Sequence, residues 1–289
     1  MLGRHAVSLI VLIVLGAAWL AAAPVASADT ANGTALDEAS SRPLLPSEVA
    51  PVRWRTTPRH QRLRRRFSVE LELGPVWQTR NDVAVPGNTG TRFALDDVTG
   101  AGPFAGGRIT FDWRVSGRHN IRALIAPLEI NETGVLAEPV SFAGETYAAG
   151  VATKATYKFN SYRIGYRYEL FCKPCWSVFV GATLKVRDAN IELRQGATTS
   201  RKTDLGIVPL LHVDAEWRFR PGWRLVADVD AAAAPQGRAI DFALKVHRDF
   251  SSRWSVGVGY RTIEGGADND KVYTFAWLHQ ALVSVSYRF

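Results

Sequence analysis

The sequence predicts an all-β protein, a transmembrane antiparallel up-and-down β-barrel of about ten strands, with about 8 or 12 also possible. Three observations lead to this fold class. From Phe67 onward, apolar and polar residues alternate with the period of a strand. Short and longer connections follow one another between these segments along the chain. The last segment ends on the aromatic residue Phe289, and the final strand of a membrane barrel pairs with the first to close the sheet.

Each predicted strand has one apolar face and one polar face. In the last strand Val283 and Val285 share a face, and Ser284 and Ser286 share the other. The third strand has the weakest pattern, because Arg122 alone suggests a polar face there. The predicted strands cover residues 67–77, 105–115, 120–130, 154–170, 176–187, 204–219, 223–232, 239–249, 253–263 and 273–289.

The connections predict an orientation. Those after the second, fourth, sixth and eighth strands are tight, whereas most of the others are longer and richer in Gly, Asn, Asp and Thr. Short turns are typical of the periplasmic side of bacterial barrels, so we expect both termini in the periplasm. Aromatic residues also crowd the short turns and predict an interfacial belt. Its members are Trp113, Phe171, Trp176, Trp217, Trp223, Phe250, Trp254 and Phe289.

A soluble β-sandwich or a lipocalin-like barrel would show similar alternation, with the apolar face inside. Alternation alone does not distinguish these folds, and the choice rests on the belt, the loop asymmetry, the final strand and the N-terminus. There, Arg4 and His5 precede an apolar run, and Ala26-Ser27-Ala28 provides a small-x-small cleavage site. Residues 1–28 are therefore predicted to be a signal peptide rather than a membrane anchor.

Residues 29–66 contain four prolines followed by a cluster of arginines, and they predict a flexible basic segment in the periplasm. The formal net charge of +8 is compatible with a nucleic-acid partner. An exported chain rarely meets nucleic acid, and the sequence contains no nucleic-acid-binding motif. Contact with anionic lipid is the preferred interpretation.

If the apolar faces meet lipid, the polar faces line the lumen. A barrel of this size has an interior that side chains can largely fill, so we expect ion pairs across it; a narrow pore with rings of charge is the alternative. The predicted lumenal acids are Glu70, Glu72, Asp112, Glu169, Asp214, Glu216, Asp228, Asp230 and Asp241. The predicted lumenal bases are Arg108, Arg114, Arg163, Arg167, Lys185, Arg187, Arg218, Arg224, Lys245, Arg253, Arg261 and Arg288.

Two residues of the sixth strand, His212 and Asp214, are weak catalytic candidates. They lie two apart on one face, and a histidine beside carboxylates can act as a general base. Together with Asp96 and Asp97 of the first long connection they resemble, in these four residues only, the omptin outer-membrane proteases. A histidine within a lumenal network is the preferred interpretation. We predict no metal site and no cofactor.

Cys172 and Cys175 flank Lys-Pro in a turn between two strands. A Cys-x-x-Cys redox motif normally needs a helix N-terminus to stabilise the thiolate. In an exported protein, a structural disulfide across the hairpin is the preferred prediction.

The segment from Gly257 to His279, followed by the terminal Tyr-Arg-Phe, resembles uncharacterised, porin-like outer-membrane barrels of Gram-negative bacteria. The resemblance covers roughly residues 67–289 and implies a fold and a location, with no catalytic residues. It also implies recognition of the C-terminal strand by the barrel-assembly machinery, and contact with outer-membrane lipids and lipopolysaccharide. The expected function is a non-enzymatic barrel, either structural or a small-solute channel. The alternative is an outer-membrane hydrolase, a protease or a lipid-modifying enzyme, with its site at the extracellular rim.

Overall fold

The computed structural model describes residues 65–289. The predicted signal peptide, and residues 29–64 of the predicted basic segment, lie outside the described residues. The described chain confirms the predicted fold class: it is a closed antiparallel β-barrel of ten strands. The elements are β1 (Phe67–Ala84), β2 (Phe93–Ala94), α1 (Asp96–Thr99), β3 (Phe104–Ser116), β4 (His119–Ala126), β5 (Glu129–Val135), β6 (Val140–Phe142), β7 (Glu145–Tyr147), β8 (Ala152–Cys172), β9 (Trp176–Gln195), β10 (Thr198–Arg220), β11 (Trp223–Ala234), β12 (Gly237–Asp249), β13 (Trp254–Asn269) and β14 (Val272–Arg288).

The third barrel strand, which had the weakest sequence pattern, is split into β4 and β5. Both pieces pair with β8 in one unchanged register, because Ala126 faces Ser161 and Glu129 faces Lys158. Pro127 lies at the break, and proline has no N–H to donate to a sheet. The strand therefore continues past the proline with a local interruption of its hydrogen bonding.

The barrel closes between β1 and β14. The Phe67 N–H donates to the Phe289 carbonyl at 3.1 Å, and the Phe289 N–H donates to the Phe67 carbonyl at 2.9 Å. We call the end of the barrel that contains these two residues the turn end, and the opposite end the loop end. The predicted closure of the last strand on the first is confirmed.

The short connections at the turn end are confirmed, but three predicted long loops at the loop end are wrong. The strands run further than the alternation indicated, and the connections shrink to residues 196–197, 235–236 and 270–271. Gly196 has a φ of 59°, a conformation that suits a tight turn. The extensions carry charge on their outward faces, as at Lys158 and Asp188, which form an ion pair of 2.8 Å. Apolar–polar alternation is lost there, although the hydrogen-bonded ladder continues.

The outer surface of the barrel is apolar. On β14 the outward Val283 is 54 % exposed, whereas the inward Leu282 and Ser284 are 3 % and 1 % exposed. Aromatic side chains form a belt at the turn end, as the sequence predicted. The ring contacts within the belt are Trp176–Trp217, Trp217–Phe219, Phe219–Trp223, Trp254–Tyr287, Tyr287–Phe289, Phe289–Phe67 and Phe67–Trp113.

The loop end is covered on one side by two long connections, residues 85–103 and 136–151, which we call the cap. The first carries α1 and the second carries the β6–β7 hairpin. A Cβ on Gly134 of β5 would lie 2.3 Å from the Val98 carbonyl oxygen of α1, so the glycine allows the helix to rest on the strand. Beneath the cap is an apolar core of Val83, Val85, Leu95, Val98, Ile130, Leu136, Val140, Phe142, Tyr147, Ala155, Tyr157, Ile191, Leu193 and Ala276.

Within residues 65–289 no helix has the length and hydropathy needed to cross a membrane.

Candidate functional site

The charged residues inside the barrel form the candidate site. The inward positions of the strands bring the predicted acids and bases together. The side chains that are buried include those of Glu72, Arg108, Arg163, Arg167, Glu169, Lys185, Asp214, Asp228, Asp230, Asp241, Lys245 and Arg261. Those of Glu70, Asp112, Arg114, Arg187, Glu216, Arg218, Arg224 and Arg288 are half-buried. Arg253 lies exposed in a turn and does not line the lumen.

Asp241 of β12 is the centre of a cluster, which we call the Asp241 cluster. Its carboxylate accepts hydrogen bonds from Arg108 at 2.7 Å, from Arg163 at 2.6 Å and from Arg261 at 2.6 Å. Arg163 reaches onward to Asp230 at 2.6 Å. The donors come from β3, β8 and β13, and neither β3 nor β8 is a neighbour of β12 in the sheet. The bonds from Arg108 and Arg163 therefore span the lumen.

A second group of contacts extends the Asp241 cluster towards the turn end. Lys245 donates to Glu72 at 2.7 Å and to Glu70 at 2.9 Å. Glu72 also accepts a bond of 2.7 Å from Arg261. A buried ammonium is stabilised when carboxylates satisfy it, and Lys245 has two of them.

Arg122 organises a further cluster with Arg167. Asp112 accepts hydrogen bonds from Arg122 at 3.0 Å and from Arg167 at 2.7 Å. Arg122 is also paired with Asp228, and Arg167 donates to Asp214 at 3.4 Å. Arg122 is not among the predicted lumenal bases, because the third strand lacks regular alternation. Its isolated charge between Ile121 and Ala123 was the signal that could have placed it there.

His212 belongs to this interior network. It is 3 % exposed, and its Nδ1 lies 2.9 Å from the Asp230 carboxylate. Asp96 lies in the cap, where it accepts a bond of 3.0 Å from the Asn81 N–H, and burial raises the pKa of its carboxyl. The contacts of Asp96 and His212 are thus made in different parts of the molecule. This geometry supports a structural histidine.

The ligand atoms of His212, Asp214 and Asp228 lie within 4.8 Å of one another. Imidazole and carboxylate groups are suitable ligands for a divalent transition metal. The two carboxylates, however, are already bonded to Arg122 and Arg167. A metal ion would have to displace these guanidinium groups, so the arrangement fits an ion-pair network better than a metal centre.

The predicted disulfide between Cys172 and Cys175 is not formed in the structure. Cys172 faces Ser177 across the hairpin, and the backbone closes the turn through bonds between Lys173 and Trp176 at 2.8 and 3.2 Å. Cys175 is exposed in the turn. The strand register and the backbone bonds of the turn hold this hairpin together, and the disulfide stays a prediction.

Two cavities flank the charged middle of the lumen. The turn-end cavity has a volume of about 200 Å³, and its lining includes Arg65, Glu70, Glu216, Asp249 and Arg288. The loop-end cavity has a volume of about 80 Å³. It is mostly apolar, with walls that include Tyr157, Phe159, Val208, Leu210, Ile240 and Ile263. The side chains of Arg163 and Lys185 also line it.

Fold and site together define a closed ten-stranded β-barrel with an ion-paired interior. No family model and no curated protein matches the chain. Among solved structures, the outer membrane protease OmpT from Escherichia coli is similar at 9 % identity and a TM-score of 0.46, over 78 % of this chain and 97 % of that one.

Two other solved structures are similar over 78 % of this chain. The attachment invasion locus protein Ail of Yersinia pestis has 8 % identity, a TM-score of 0.33 and 99 % of its own length covered. The Pseudomonas putida toluene transporter TodX has 10 % identity, a TM-score of 0.32 and 90 % covered. At these identities and TM-scores, none of the three assigns an activity to this chain.

Proposed function

We propose that the protein is a non-enzymatic β-barrel of the Gram-negative outer membrane, with a lumen that ion pairs keep closed. Its role is then structural, and solutes do not flow through it. The membrane part of the proposal is supported by the apolar outer surface, and the closed lumen is supported by the Asp241 cluster.

The apolar surface has the height of a membrane. From Phe289 in the turn-end belt to Trp277, β14 advances about 12 residues, which at ~3.3 Å per residue and a tilt of about 40° crosses about 30 Å. That matches the hydrocarbon core of a bilayer. Trp277 is 45 % exposed, and its ring lies 5.5 Å from that of His279. Such amphipathic rings suit the second membrane interface.

The orientation belongs to the same proposal. The four tight turns and Phe289 share the turn end, which we assign to the periplasm because short turns are typical of that side. The cap then lies outside the cell, against lipopolysaccharide. The final residues of β14 are the segment that the barrel-assembly machinery would recognise.

The observation that carries the closed lumen is the set of three arginines on Asp241. The hydrogen bonds from Arg108 at 2.7 Å and from Arg163 at 2.6 Å cross the interior, and Arg261 on the neighbouring strand β13 donates a third bond of 2.6 Å. Because these charged side chains already pair with one another, they offer few free binding groups to water and ions. An open pore needs binding groups that release an ion as readily as they take it.

A planar-bilayer measurement tests this proposal. Purified protein that migrates as a heat-modifiable folded band is expected to give no steady conductance. Asp241→Ala should raise the frequency of conducting events, because it removes the acceptor that holds Arg108 and Arg163 across the lumen. A discrete, stable conductance of the wild-type protein would contradict the closed lumen and support the small-solute channel instead.

The hydrolase remains the alternative and is supported less well. A rim site must reach a substrate outside the barrel, whereas His212 and Asp214 are 3 % and 5 % exposed. Their polar groups contact Asp230 and Arg167. Loss of a measured peptidase or lipase activity in a folded His212→Ala variant would favour the hydrolase.

A further inference from the structure

We propose that the loop-end cavity binds a small organic acid with an apolar body, and that Lys185 is the counter-ion of its carboxylate. This inference goes beyond a structural role, because it makes the barrel a binding protein at its outer end. It rests on an unpaired buried lysine, on apolar walls, and on the charges around the cavity.

Lys185 is the unusual member of the lumenal network. Its side chain is 4 % exposed, yet it forms no hydrogen bond or ion pair with any of residues 65–289. Its Nζ lies over the Phe159 ring, 4.4 Å from the centroid. Lys245, equally buried, has two carboxylate partners. An ammonium buried without a carboxylate is costly, so an anion from outside the chain would stabilise Lys185.

The carboxylates that line the cavity are already engaged in ion pairs. Asp230 is hydrogen-bonded to Arg163 and His212, and Asp241 accepts hydrogen bonds from three arginines. At the mouth of the cavity, Arg187 is paired with Asp204 and Arg238 with Glu264. Lys202 also lines the cavity and has no ion-pair partner among the described residues. The surplus charge of the cavity is therefore positive, which favours an anion over a cation.

The rest of the lining fits an apolar body. Phe159, Leu210 and Ile263 present aromatic and aliphatic surface beside Lys185. A volume of about 80 Å³ equals roughly two to three molecules of liquid water. That space holds a carboxylate and one or two methylene groups, and a longer chain extends through the mouth. A short fatty acid therefore matches both the charge and the lining better than phosphate or a sugar.

Calorimetry with hexanoate tests the proposal on the full barrel in lipid nanodiscs, with empty nanodiscs as the blank. Hexanoate is expected to bind the wild-type protein more tightly than hexanol does, since the alcohol lacks the charge. Lys185→Met should weaken hexanoate binding by about tenfold or more, the loss that follows removal of a charged hydrogen-bond partner. Lys185→Arg should retain most of the affinity. Lys158→Met, which breaks the exterior ion pair with Asp188, is the matched control and should bind normally.

A second variant tests the walls without touching the lysine. Leu210→Trp should fill the cavity and abolish hexanoate binding while Lys185 stays in place. Heat-modifiable migration shows that each variant is folded. No binding to the wild-type protein, equal binding to Lys185→Met, or hexanol binding as tight as hexanoate would overturn the proposal. Each of these results leaves the conductance test of the closed lumen unaffected.

Discussion

Phe67 and Phe289 close the barrel by exchanging both of their backbone hydrogen bonds, at 3.1 and 2.9 Å, with their rings stacked 5.6 Å apart. The Phe67 ring also stacks on Phe111 and Trp113 of β3, at 5.9 and 6.1 Å. The side chains thus extend across the same seam that the backbone closes. The aromatic end of the chain has a local structural purpose, in addition to any role in assembly.

Replacing Phe289 by alanine should weaken this seam. We expect the free energy of unfolding to fall by about 0.5–1.5 kcal/mol beyond the loss of buried area, the range found for aromatic pairs. The urea midpoint of the heat-modifiable band measures the effect. Phe250→Ala is the control, because Phe250 is 69 % exposed in a turn at the same end. Equal midpoints for the two variants would show that the ring stack is unimportant.

Asp241→Asn should be among the most damaging single changes in the lumen. It keeps the shape of the side chain but leaves three buried arginines with a weaker acceptor, and breaking a buried ion pair costs roughly 3–5 kcal/mol. Urea unfolding in detergent measures the loss. Asp204→Asn removes the carboxylate of a more exposed pair, with Arg187, and should change stability by less than about 1 kcal/mol. Similar losses for both would contradict the central role of Asp241.

Gly134→Val should loosen the cap without opening the barrel. The new Cβ would lie 2.3 Å from the Val98 carbonyl oxygen, so α1 has to move away from β5. Trypsin is expected to cut faster after Arg92, which is in the first connection of the cap and is 55 % exposed. Thr133→Val changes the exposed neighbouring position and serves as control. Unchanged cleavage in Gly134→Val would show that α1 does not depend on this contact.

The proposed orientation predicts which ends of the barrel react in intact cells. Cys175 lies at the turn end, so in a Cys172→Ser background a membrane-impermeant maleimide should label it after permeabilisation only. Lys271→Cys, in a chain whose native cysteines are both serine, places a thiol in a turn at the loop end and should react in intact cells. The reversed labelling pattern would show that the orientation of the barrel is opposite to the one proposed.

Alternation in the sequence predicted all ten strands, because an apolar outer surface and a polar lumen impose a period of two. The alternation did not predict the strand residues that lie beyond the apolar band. Beyond the apolar band both faces of a strand can be polar, so residues 188–195 of β9 read as a loop although they continue the ladder. The cap core was missed for a different reason. Its members, such as Leu95 and Phe142, lie in connections and have no periodic spacing.

Alternation in the sequence also predicted part of the candidate site. Alternation indicated which side chains share the inward face, but it did not reveal which of them meet. Partners such as Arg163 and Asp230 lie on β8 and β11, and their meeting depends on how far neighbouring strands are staggered around the barrel. The unpaired state of Lys185 is likewise invisible in the sequence, since it depends on where every nearby carboxylate is bonded.

The bond between Arg108 and Asp241 also bears on the timing of folding. It joins β3 to β12, which become close only after the sheet has curled and its edges have nearly met. We expect contacts made that late to be absent from the transition state, in which case they act mainly on the unfolding rate. We therefore expect the arginines that cross the lumen to lengthen the lifetime of the folded barrel more than they change the speed of its assembly.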